Sequence, residues 1–127
     1  MRNRAFSFVF CLVSIMSLKG QEMAPKEYDF NWQKANGDQF AIAVENKLSQ
    51  AVELKRLDRA CMQILLKAML KSRDFETFTP EVFILNEDVT HNVAQLDFRF
   101  LNRENEWEKR SVYYRFDYYG NVFNQLE

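Results

Sequence analysis

Few side chains in this sequence are able to do nucleophilic chemistry. His91 is the one histidine among 127 residues, and the two cysteines are Cys11 and Cys61. A thiol or hydroxyl nucleophile needs a base beside it, so Cys61 or a serine would have to meet His91. Cys61 falls on an apolar stripe at helical spacing, which predicts a buried, inert thiol. His91 falls in a predicted turn, Asp88-Val89-Thr90-His91-Asn92. One histidine and one cysteine beyond residue 20 do not make a zinc ligand set, and Asn86-Glu87-Asp88 lacks the EF-hand spacing for calcium. Glycines stand only at 20, 37 and 120, which leaves no glycine-rich phosphate loop. Asp97 and Asp117 could pair as carboxylates, but an arginine neighbour would depress the Asp97 pKa rather than raise it toward general-acid use. These residues predict a protein that is not an enzyme and carries no metal or cofactor.

Recognition is the remaining chemistry. Gln95, Asp97, Arg99, Tyr113, Arg115, Asp117 and Tyr119 alternate with apolar residues along two predicted strands, and tyrosine and arginine are favoured at interface centres. Asp97, Arg99, Tyr113, Arg115 and Asp117 are therefore the candidate binding residues, and another exported protein is the expected partner. The alternative is a carrier for a small apolar ligand or lipid, with a cavity between a Phe-rich inner sheet face and the helix. An enzyme is the third reading.

These side chains must be placed by a helical and then a strand-forming half. From Asp38, with Asn36 or Asp38 as cap, apolar residues recur at Phe40, Val44, Leu48, Ala51, Leu54, Leu57, Cys61, Ile64, Leu65, Ala68 and Met69, mostly at spacings of three and four. This predicts a helix over 38–73, either continuous or broken in two near Ser49-Gln50. Thr79-Pro80 ends it, and 81–85 is an apolar run bounded by Asn86-Glu87-Asp88. Residues 93–101 and 110–119 alternate apolar and polar, as half-buried antiparallel strands do. Avoidance of like charges across the hairpin favours Asp97 opposite Arg115 and Phe98 opposite Tyr114. A turn at Gly120-Asn121 leads to a short last strand near Val122-Phe123 and Leu126, closing a sheet of about four strands.

Residues 1–20 differ from the rest. Arg2 and Arg4 precede the apolar stretch Ala5 to Leu18, and the chain turns polar at Lys19-Gly20-Gln21, the layout of a secretory signal cut before Gln21. Fourteen helical residues would reach about 21 Å, short of the ~30 Å hydrocarbon core, so no stable transmembrane span is expected after cleavage. Cys11 would leave with the signal, so the mature chain has no second cysteine for an intramolecular disulfide. Removing Arg2, Arg4 and Lys19 from the 17 basic residues leaves 14 against 18 acidic ones, a net charge of −4. That balance gives no footprint for nucleic acid, and the protein is expected to be secreted or periplasmic. The remainder divides into an extended arm or short helix, 21–37, and one α+β domain, 38–127, with a helix packed on an antiparallel meander. Its element order resembles that of cystatin-like and NTF2-like folds in architecture. The cystatin Q-x-V-x-G loop is absent, so no inhibitor function comes with the resemblance.

Overall fold

The computed structural model describes residues 22–72 and 75–126. The expected signal, its cleavage point and Cys11 lie outside them. The elements are β1 (Glu27–Gln33), β2 (Gln39–Asn46), α1 (Leu54–Lys71), β3 (Thr79–Glu87), β4 (Asn92–Leu101), β5 (Trp107–Phe116) and β6 (Val122–Leu126). The six strands form one sheet in chain order. All neighbouring pairs are antiparallel except β2 and β3, which run parallel and are joined by α1 as the crossover. The class is α+β, with one helix on a mostly antiparallel sheet.

The helix expected from Asp38 begins instead at Leu54. Phe40, Val44 and Leu48 stand four apart, a spacing compatible with both a helix face and one side of a strand. Ile42 decides between them. Phe40, Ile42, Val44 and Asn46 all turn inward while Gln39, Ala41, Ala43 and Glu45 stay exposed, and β-branched Ile42 and Val44 suit the pleated surface. Asn36 and Asp38, expected as helix caps, make the β1–β2 turn instead. The Asp38 amide donates to the Asn36 side-chain oxygen at 2.9 Å, and Gly37 supplies φ +100°. Residues 21–37, expected as an extended arm or short helix, thus contribute β1, with Tyr28, Phe30 and Trp32 on its inner side. The sheet accordingly has six strands rather than about four.

At the start of α1, the Leu54 amide donates to the Glu22 carbonyl at 2.9 Å, which satisfies a group the helix itself cannot. Leu57, Ala60, Cys61, Ile64, Leu65 and Ala68 form its buried stripe. They meet Ile42, Val44, Phe83, Leu85, Ala94, Leu96, Tyr114 and Phe116 from the inner face of the sheet. A chain of rings, Phe40, Trp32, Phe78, Phe98 and Phe100, extends this core along one end, with successive centroids 4.9 to 6.2 Å apart.

The β4–β5 register also differs from the charge-based expectation: Asp97 faces Ser111, and Tyr114 faces Ala94. The loop sets it. The Asn102 side-chain oxygen accepts the Glu104 and Glu106 amides at 2.9 and 3.0 Å, and Asn105 adopts φ 65°, so the hairpin closes with Leu101 opposite Trp107. The expected register would have left a much longer loop and fewer ladder bonds in exchange for one exposed ion pair of about 0.2–1 kcal/mol. Because the two registers differ by an even number of residues, inward and outward sets are the same in both.

Candidate functional site

The face of the sheet opposite α1 carries the candidate residues. Cross-strand pairing arranges its side chains in rows: Glu27, Glu45, Ile84, Gln95 and Tyr113 in one, and Asp29, Ala43, Val82, Asp97 and Ser111 in the next. Arg99 and Lys109 face each other on one flank of these rows, and Val93 and Arg115 on the other. The middle is low and apolar, made by Ala43, Val82, Ile84 and Val93, with Ala41 beside them. Tyr113 is 38% exposed at one side.

Four of the five expected binding residues, Asp97, Arg99, Tyr113 and Arg115, come together here. Asp97 accepts from Ser111 Oγ at 2.6 Å and from Gln95 Nε2 at 2.8 Å. Arg99 lies 2.6 Å from Glu81 and 5.1 Å above the Trp107 ring, while Lys109 reaches Glu81 at 3.8 Å. Arg115 approaches Asp88 at 3.8 Å, and its Nε has no hydrogen-bond partner. Asp117 stands apart, in the β5–β6 turn. Its carboxylate accepts the Tyr119 and Asn121 amides, both at 2.9 Å. Burial pushes its pKa up, but the hydrogen bonds from Asn121, Tyr119 and Gly120 outweigh that and hold it below the usual carboxylate range. The sequence reading missed the β1–β2 contribution, Glu27, Asp29, Ala41, Ala43 and Glu45. The signal was the period-two alternation of 39–46.

The nucleophile candidates are separated from each other. Cys61 is 0% exposed in the helix–sheet core. His91 is exposed on the β3–β4 turn, its Nδ1 2.6 Å from the Thr90 hydroxyl. Nearby, the Glu87 carboxylate accepts from Ser49 Oγ at 2.8 Å and Tyr118 Oη at 3.4 Å, which ties two loops together. Among the described residues, no group of three or more His, Cys, Asp or Glu is placed to hold a metal ion, and no helix is long and apolar enough to cross a membrane.

Burial, and then the charge of Asp58, push the Cys61 thiol well above its ordinary 9.0. The Tyr28 hydroxyl has no hydrogen-bond partner, and burial, followed by Cys61 and Asp58, lifts it above its ordinary 10.0. Both groups stay protonated in the folded chain after the unfolded chain has begun to lose those protons. Stability is therefore full below about pH 8 and falls as pH rises through 9 and 10, where the unfolded thiol and then the unfolded phenol ionise. The denaturation midpoint is expected to drop between about pH 8 and 10.5, and Cys61 to resist thiol reagents until the chain unfolds. Rapid labelling of the native chain would show that the thiol is reachable.

Between the β1–β2 turn and the C-terminal half of α1 lies an open groove of about 480 Å³ lined by Trp32, Leu66, Met69 and Phe75. Leu66 and Phe75 are 45% and 51% exposed there. No protein-family model, curated protein or solved structure matches the chain.

Proposed function

We propose that this is a non-enzymatic binding module, exported by residues 1–20 to the periplasm or the outside, that docks a protein on the open face of its sheet. One observation carries this reading. The parallel pair β2–β3 lies within a sheet whose inner face packs in one core with α1 and whose other face meets no described element. Wholly parallel sheets are covered on both faces, whereas here the open side leaves Ala41 and Ala43 exposed beside the parallel pair. The open side presents a low apolar centre of alanine, valine and isoleucine with tyrosine and arginine at its margin, which is the anatomy of an interface core and rim.

The groove at Trp32, Leu66, Met69 and Phe75 supports a second reading, a carrier of a small apolar ligand. It lies at one end of the helix layer rather than inside the Phe-rich core, which is filled by side chains. Native mass spectrometry of the chain purified from its exporting host separates the two readings. Docking is expected to show a protein-sized adduct that Ala43→Arg abolishes and Leu66→Glu leaves intact. A small adduct lost with Leu66→Glu would favour the carrier, and a protein adduct indifferent to Ala43→Arg would overturn docking on this face.

A further inference from the structure

The open face is divided by charge. Within its paired strands, the outward residues of β1 and β2 include Glu27, Asp29 and Glu45 and no basic residue. Those of β4 and β5 include Arg99, Lys109 and Arg115 with Asp97 as the one acid. Each half also contains a like-charge pair directly across a ladder: Glu27 faces Glu45, and Arg99 faces Lys109. Such pairs destabilise a sheet. Glu81 relieves the basic one from β3. Glu27, Asp29 and Glu45 make no ion pair with any described residue.

We infer that the occupant of this face is a second copy of the chain, packed face to face about a two-fold axis that runs along the strands. The inference rests on the docking reading of the same face. Two aligned face-to-face arrangements have two-fold symmetry. An axis across the strands lays β1 and β2 on their own copies, acid on acid, and β4 and β5 likewise, base on base. An axis along the strands lays β1 on the partner's β6, β2 on its β5 and β3 on its β4, so that no strand meets its own copy and Glu45 of β2 covers the basic β5. Rows are preserved in that arrangement. Glu45 then overlies the Tyr113–Arg115 segment of the other copy. The low Ala43 of β2, the outward neighbour of Glu45, leaves room beside the Tyr113 ring at the ~10 Å spacing of packed sheets. The Arg115 side chain is 37% exposed and brings its positive charge to Glu45. Six strands about 4.8 Å apart and roughly 27 Å long present some 650 Å² per copy, or about 1,300 Å² in all, which is within the range of stable interfaces.

The test is analytical ultracentrifugation of the exported chain at about 50 μM in low salt, above the micromolar dissociation constants found at the small end of interface sizes. A dimer is expected, weakened by salt because its charges are screened. Glu45→Lys alone and Arg115→Glu alone should each weaken it about tenfold or more, since two-fold symmetry makes every substitution count twice. The double variant should restore it, and circular dichroism should show all three folded. A monomeric wild-type chain would overturn the inference. So would a dimer indifferent to Glu45→Lys and Ala43→Arg, which would place the contact elsewhere. A monomer that still carries a different protein, lost with Ala43→Arg, would remove self-association and keep the docking reading.

Discussion

Truncating Phe78 to alanine is expected to lower stability by about 3–5 kcal/mol, the range for a large aromatic removed from a packed core. Phe78 is 0% exposed although it precedes β3 and belongs to no regular element. Its ring lies 4.9 Å from that of Phe98 and meets Trp32 edge to face at 6.1 Å. It therefore joins β4 to β1 across the inner face, and the segment leading from α1 into β3 is anchored through it. Its loss leaves a cavity walled by rigid aromatic rings, which collapse poorly, so the cost should fall at the upper end of that range. Urea denaturation monitored by circular dichroism measures it. A loss below about 1 kcal/mol, the level of a surface substitution, would mean that the ring chain does not pack as described.

Phe78 also shows where sequence reasoning stops. A lone phenylalanine between a helix and a strand has no periodic neighbours, so pattern alone gives no reason to bury it. Where alternation is long and strict, as from Val93 to Leu101, inward and outward sets follow from the pleat, and Leu96, Phe98 and Phe100 are inside as their spacing requires. Where the apolar spacing is four, as at Phe40 and Val44, it is ambiguous between helix and strand. The intervening Ile42 and the Asn36-Gly37 turn carried the distinction. Register was a competition between one exposed charge pair and the bonding of a compact loop. The Asn102 side chain and Asn105 backbone win it. Of the open face, the β4–β5 half was legible because both strands alternate cleanly. Its acidic half was hidden by the expectation of an arm or short helix at 21–37, which holds Glu27 and Asp29, and of a helix from Asp38, which took in Glu45; the parallel pairing depends on a contact between segments distant in sequence.

Gly120→Ala is expected to cost about 3 kcal/mol, more than the substitution normally does, because two independent penalties meet there. Gly120 has φ +88°, a conformation that costs an L-residue roughly 1–2 kcal/mol. An added Cβ would also stand 2.3 Å from the Arg56 carbonyl oxygen, part of the helix backbone that has no freedom to move aside. The turn is held from several directions. Asp117 closes it through the Tyr119 and Asn121 amides, the Arg56 guanidinium lies 5.1 Å from the Tyr119 ring, and the Val122 amide donates to Gln63 Oε1 at 3.1 Å. Relieving the clash would lift the whole β5–β6 turn off α1 and break these contacts together. Gly37→Ala is the matched control, since Gly37 has φ +100° and nothing within 4 Å of an added Cβ. It carries the backbone penalty alone. The difference between the two destabilisations, read from thermal or urea midpoints, isolates the close approach of turn to helix. Equal costs at the two positions would show that the turn does not lie against Arg56.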